Sequence, residues 1–156
     1  MRLGVPKEPD NETRVAIVPS SMKKLTKAGF EVYVEQGAGV RANYNDSQYE
    51  DAGAKIVSRK EALSCPNIIC INFPGTDGIS EKSNVACVAD PFRNPEDVKQ
   101  CLSANITLMS MDMIPRRLSR DQSMDVNSSQ DNLAGYKAVL LGASNVPKGI
   151  PMMTTS

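Results

Sequence analysis

Short runs of aliphatic and β-branched residues alternate along the chain with stretches whose apolar positions fall three or four apart, and turn-forming residues separate the two kinds. Residues 2–5 read as a first strand. Pro19, Ser20 and Ser21 open a helix that spaces Met22, Leu25 and Ala28 on one face, and Gly29 closes it in the usual C-terminal position. Residues 31–35 alternate as a second strand, with Val32 and Val34 on one face. Asp46 is placed to cap a helix through Ala52 and Gly53, residues 55–57 form a short strand, and Ser58 caps a helix over residues 59–63. Residues 67–73 and 84–89 are short, apolar and closed by Pro74-Gly75 and Pro91, which marks them as buried central strands. Only loop is expected from Gly75 to Ser83. Asn94, Pro95, Glu96 and Asp97 combine a cap, a proline in the first turn and acids against the helix dipole, so a helix runs from residue 94 or 95 to 103. Residues 106–111 return to the sheet. A last helix, from about Asp125 or Ser128 to Gly142, presents Leu133, Tyr136 and Leu140 at helical spacing, and residues 144–156 carry no element. The alternation predicts an α/β fold, a parallel sheet with helices on both faces in the flavodoxin-like or Rossmann-like manner.

Composition narrows the function classes. The 156 residues are enough for one domain with one core. Eighteen basic residues balance eighteen acidic ones, so no net field draws the chain onto nucleic acid or anionic lipid. The longest apolar stretches, 68–73 and 138–141, are far short of the roughly twenty residues that cross a bilayer, so a membrane role must come through a partner. Pro6 follows the start at once, with no extended apolar region of the secretory kind, and the chain reads as the beginning of a mature domain. Cys65, Cys70, Cys87 and Cys101 form no CxxC pair and the sequence holds no histidine, which excludes a zinc site or redox motif of ordinary spacing. Buried, reduced thiols in a reducing compartment are expected.

Three stretches carry candidate chemistry. Residues 37–42 (Gly-Ala-Gly-Val-Arg-Ala) satisfy the dinucleotide fingerprint and follow a strand, but Asn43, Tyr44, Asn45 and Asp46 put turn formers where a helix should open beneath the pyrophosphate. The next strand ends on Ser58 and Arg59 and offers no acid to a ribose. The match is set aside. Lys7, Glu8 and Arg14 flank the carboxyl end of the first strand, the edge where such sheets place ligands, or else form an exposed charged turn. The stretch 115–125 packs three arginines, two aspartates and a glutamine between a strand and a helix, which is a ligand-contacting composition for a loop held between rigid elements.

In that stretch Arg117, Gln122, Asp125 and Ser128, followed by Ser129-Gln130 and Asn132-Leu133-Ala134-Gly135-Tyr136, resemble the loop of the NAD(H)-binding component of proton-translocating nicotinamide nucleotide transhydrogenases. Gly4-Val5-Pro6-Lys7-Glu8, Asn11-Glu12-Thr13-Arg14-Val15-Ala16, Pro19 and Glu35-Gln36-Gly37-Ala38-Gly39 resemble the opening shared by transhydrogenase α chains and alanine dehydrogenases. The resemblance covers essentially the whole chain. It implies that Arg117, Leu118, Ser119, Gln122, Asp125 and Ser128 contact NAD(H), and that Gln122 and Asp125 orient the nicotinamide for transfer. Arg116, Arg120 and Asp121 have no such claim and are expected in solvent. Direct hydride transfer between two nicotinamides involves no acid or base, so the protein's task is to set donor and acceptor carbons about 3 to 3.5 Å apart.

The same resemblance sets the wider expectations. Residues 1–142 correspond to the N-terminal domain of this family and 143–156 to a linker toward an absent NAD-binding domain. The intact system moves hydride from NADH to NADP⁺ with proton translocation, and NADP(H) sits on a partner domain. Partners are the NADP(H)-binding and membrane proton-channel components and a second copy in a homodimer, with cytoplasmic or matrix-side placement against the inner membrane. Alone, the chain is expected to bind NAD(H) poorly and to be inactive. One rival is the N-terminal domain of an alanine or saccharopine dehydrogenase. In alanine dehydrogenases an arginine at the Arg14 position, a lysine and a histidine serve the substrate, whereas this chain has Cys70-Ile71-Asn72 at the lysine's place and no histidine. Arg14 is then structural. The other rival is a truncated relative that retains the fold as a non-catalytic binding module.

Overall fold

The computed structural model describes residues 1–115 and 124–147. They divide into two units, Met1–Met113 and Ile114–Ser156. Among the described residues the first unit holds six strands, β1 (Arg2–Val5), β2 (Glu31–Glu35), β3 (Lys55–Val57), β4 (Asn67–Asn72), β5 (Asn84–Val88) and β6 (Thr107–Ser110). Its helices are α1 (Met22–Lys27), α2 (Asp46–Asp51), α3 (Arg59–Leu63) and α4 (Pro95–Ser103). All neighbouring strands are parallel, in the order β3-β2-β1-β4-β5-β6. The expected α/β architecture is present, and its strand order reverses between β1 and β4.

Helices lie on both faces. Leu3 and Val5 of β1 and Val32 and Val34 of β2 form one buried cluster with Met22 of α1 and Tyr49 of α2. Gly4 points the opposite way, and a side chain there would collide with the Ala62 carbonyl of α3. Glycine is what lets α3 lie against β1. On that second face Leu63, Ile68, Cys70, Val85, Cys87 and Cys101 make a separate buried cluster. Two clusters therefore replace the single core expected from length, because the sheet stands between them.

Several elements differ from the sequence expectation. The α2 cap is Asn45, whose side chain accepts from the Gln48 amide while the Gln48 side chain accepts from the Asn45 amide. Asp46 is already inside the helix and accepts from Gly37 N at 2.8 Å. Ser58 and Glu61 form the same reciprocal box at α3. Asn94 stands at the α4 start without capping it, and its Nδ2 donates instead to the carbonyls of Ala89 and Asp90. β4 and β5 are central in order, but their residues alternate between buried and part-exposed, so they are buried on one face only. The last strand is shorter than 106–111 because Met111–Met113 turn into a 3-10 helix.

The described part of the second unit centres on α5 (Val126–Asn145). It runs three residues past Gly142 and contains no buried residue. Leu133, Tyr136 and Leu140 lie exposed along it. The C-terminal stretch from residue 148 lies outside the described residues.

Candidate functional site at the carboxyl edge of the sheet

The carboxyl ends of β1 and β4 flank the point where strand order reverses, and that is where a doubly wound sheet leaves a crevice. Pairing between these strands is brief, with only Leu3 facing Asn67 and Gly4 facing Ile68. Beyond it Glu8 takes over. Its carboxylate, on a residue 7% exposed, accepts from Ile71 N at 2.6 Å, Asn72 N at 3.0 Å and Asn72 Nδ2 at 3.1 Å. A buried carboxylate needs such donors, and here they include the amides that a longer β1 would have satisfied.

Neighbouring loops repeat the device. Glu35, after β2, accepts from Lys7 N at 2.7 Å and from Arg59 Nη1 at 3.0 Å, and the same guanidinium nitrogen donates to the Lys7 carbonyl at 3.1 Å. Asp112, after β6, accepts from Ala89 N at 3.1 Å and Ser110 Oγ at 2.6 Å. Burial pushes the Asp112 carboxyl up, but hydrogen bonds from Ser110 and from the Asp112, Ala89 and Asp90 amides outweigh it and hold the group below its ordinary range. Acidic side chains thus tie strand ends to their neighbours around this rim.

Between β1 and β4 the rim encloses a crevice of about 110 Å³, whose lining includes Lys7, Glu8, Arg59, Cys70, Asn72 and Phe73. It opens beside a recess of about 390 Å³ bordered by Lys7, Glu8, Pro9, Asp10 and Arg59. Bound organic ligands of drug size occupy roughly 300 to 1,000 Å³ of largely apolar pocket, so the enclosed part is too small for a dinucleotide. Arg14 forks onto Glu12, with Nε–Oε1 at 2.9 Å and Nη2–Oε2 at 2.6 Å. That guanidinium holds the Glu12 carboxyl down at about 2. Arg41 likewise engages Asp10 and keeps its carboxyl below the ordinary value.

The glycine-rich stretch has a structural purpose. Gly39 packs under Tyr49, where a Cβ would lie 2.6 Å from the ring, and the Tyr49 hydroxyl donates to the Ile17 carbonyl at 2.8 Å. A 3-10 turn over Val40–Ala42 follows, ending at Asn43 in the left-handed region with φ 64°. No helix start faces outward from these glycines, so the described residues contain no pyrophosphate cradle here. Setting the fingerprint aside agrees with this geometry.

Arg117, Leu118, Ser119 and Gln122 lie outside the described residues, as do Arg116, Arg120 and Asp121. Asp125 and Ser128 come together at the start of α5, where Asp125 Oδ1 accepts from Ser128 N at 2.9 Å. Glu8, Glu35 and Asp112 were not singled out as bracing groups from sequence. A signal existed, an acid within a few residues of a strand's carboxyl end, but the partners lie 63, 28 and 23 residues away. Among the described residues no group of His, Cys, Asp and Glu is arranged to hold a metal, and no helix is long and apolar enough to cross a membrane.

The family model described as "Alanine dehydrogenase/PNT, N-terminal domain" matches residues 4–134 of this chain. The chain is 41% identical over 167 aligned residues to the first portion of NAD(P) transhydrogenase subunit alpha of Rhodospirillum rubrum, across 100% of this chain and 43% of that relative. Among solved structures, transhydrogenase from Sinorhizobium meliloti superposes with a TM-score of 0.92 at 38% identity, over 100% of this chain and 48% of that one. An L-alanine dehydrogenase superposes with a TM-score of 0.71 at 30% identity, over 77% of this chain and 34% of that one. The chain thus spans less than half the length of each of these proteins. With its parallel sheet, its glycine-to-tyrosine packing and a family match over most of its residues, this chain belongs to the alanine dehydrogenase/PNT N-terminal domain family.

Proposed function

We propose that the chain serves as the N-terminal part of the NAD(H)-binding α component of a proton-translocating transhydrogenase, an oxidoreductase that passes hydride from NADH to NADP⁺. The observation that carries this reading is the transhydrogenase superposition over the whole chain at a TM-score of 0.92. The alanine dehydrogenase match reaches 77% of the chain at 0.71. Side-chain chemistry favours the same choice. Where alanine dehydrogenases keep a lysine this chain has Cys70, 5% exposed, and its 156 residues include no histidine to donate a proton.

In this reading residues 1–142 are the domain and 143–156 lead toward a nucleotide-binding domain that holds most of the NAD(H). The described residues offer no cradle for the dinucleotide phosphates, which accords with a division of labour in which this chain contributes one loop. Arg117, Leu118, Ser119, Gln122, Asp125 and Ser128 contact the cofactor, and Gln122 and Asp125 fix the ring. NADP(H), the proton channel and a second copy of the α component are supplied by the assembly, which keeps the chain beside the membrane without crossing it.

The test is single-turnover hydride transfer from NADH to NADP⁺ by this chain joined to a nucleotide-binding domain and mixed with the partner components. Gln122→Ala is expected to slow transfer tenfold or more, about 1.4 kcal/mol of lost positioning, while Arg120→Ala leaves it nearly unchanged. A blank parent assembly, or one that turns over alanine with NAD⁺, would overturn the reading.

A further inference from the structure

Parallel strands joined by crossover helices are normally covered on both faces. One section of this sheet departs from that rule. The register carries the face of Leu3 and Val5 onto Ile69 of β4, Ala86 of β5 and Met109 of β6. Over β1 and β2 that face lies under α1 and α2. Over β4, β5 and β6 no described helix of the first unit covers it, since α3 and α4 pack on the reverse side and residues 73–83 join β4 to β5 without a helix.

Ile71, Ala86, Val88 and Met109 form an apolar strip on this side. Val88 is 39% and Met109 45% exposed, against 0% for Val85 and Cys87 on the reverse of β5. The polar residues that share the face, Asn67, Asn84 and Thr107, are uncharged and gather at the amino ends of the strands. No charge marks it as a solvated face.

Size decides what fits. Three strands about 4.8 Å apart and five residues long at about 3.3 Å each give roughly 15 by 17 Å, or about 250 Å². Separate proteins that associate stably bury about 800 Å² apiece, so a second copy is too large an occupant for this footprint. One α-helix about 10 to 12 Å wide and about eleven residues long matches it. A contact so small persists when a tether raises the local concentration. The relatives carry such tethered length, since this chain spans 43% of the Rhodospirillum rubrum subunit and 48% of the Sinorhizobium meliloti chain.

We propose that the open face of β4, β5 and β6 seats one amphipathic helix from the part of the relatives' polypeptide that this chain does not span, lying across the sheet from α4. Its contacting stripe is aliphatic and free of charge.

The experiment uses thiol reactivity, because the four natural cysteines are buried and silent. Val88→Cys or Met109→Cys is placed in the 156-residue chain and in the same chain joined to the remaining sequence of the Rhodospirillum rubrum relative. The new thiols should react with a soluble disulfide reagent at exposed-thiol rates in the short chain and at least tenfold more slowly in the joined one. Leu102→Cys, on the outside of α4, should stay fast in both. Equal rates in the two chains overturn the proposal. So does protection in the short chain, which at all concentrations means that a helix of this chain covers the face, and only at high concentration means a second copy. If the joined chain misfolds, seen as reactivity of the natural cysteines, the same two substitutions at the aligned positions of the intact Rhodospirillum rubrum subunit supply the reading.

Discussion

Asp125 stands at the start of α5 with one carboxylate oxygen on the Ser128 amide, so a residue proposed to hold a nicotinamide already caps a helix. The two roles respond differently to substitution. Asparagine caps about as well as aspartate, whereas alanine forfeits about 1 kcal/mol. Asp125→Ala should therefore speed amide exchange over residues 126–130, and Asp125→Asn should not. In the assembled enzyme a cofactor role predicts that both variants slow hydride transfer, whereas a capping role alone leaves Asn at the parent rate. At this scale the sequence was legible where the chemistry is local. Turn formers after Gly39 excluded a phosphate cradle, and the geometry shows why the glycine is there: it makes room for Tyr49. Glu8 looked like an exposed turn residue because nothing within its own neighbourhood announces Ile71 and Asn72 as its donors.

Helix starts show how far local rules reach. Asn45 and Asp46 are both capping residues, and which one caps is settled by Gln48 closing a box with Asn45 and by Gly37 claiming Asp46. Asn45→Ala should cost about 1 kcal/mol in chemical denaturation, the ordinary value of a cap. Asn94 gives the sharper test. Aspartate would serve there equally well as a cap, but it cannot donate to the carbonyls of Ala89 and Asp90. Asn94→Asp should thus destabilise the protein by about 1 kcal/mol; an unchanged or raised denaturation midpoint would restore the capping role. Strand positions were readable from apolar runs, yet an apolar run does not say whether one face or two are covered. Ile71, Val88 and Met109 are the residues on which that reading failed.

Across the whole molecule the stability should depend on acid. Glu12 titrates near 2 in the fold instead of near 4.5, and Asp10 and Asp112 are also held below their ordinary 3.8. A carboxyl whose folded value is depressed contributes stability above its unfolded value and loses it as pH falls toward the folded one. Melting temperature should accordingly be level above about pH 5 and decline between pH 4.5 and 2. Glu12→Gln should melt below the parent at pH 7 and converge on it by about pH 2. A constant gap across that range would show that the Arg14 pair does not set the acid sensitivity. Parallel layering was legible at this scale from the alternation of elements, whereas strand order was not, because it rests on β1 meeting a strand far along the chain.

That meeting also fixes a moment in synthesis. Asn67 reaches Arg2 across 65 residues, so while the ribosome is still making α2 and β3 the inner flank of β1 has amides and carbonyls with no strand beside them. At roughly 5 to 20 residues per second this lasts for some seconds. An unpaired flank is a template for any passing extended chain. Nascent chains stalled with β3 out and β4 still in the tunnel should therefore bind a general chaperone that chains stalled beyond β6 no longer hold, and equal capture at both lengths would contradict it. The reversal of strand order that opens a crevice in the finished fold is, for the growing chain, an interval of exposure.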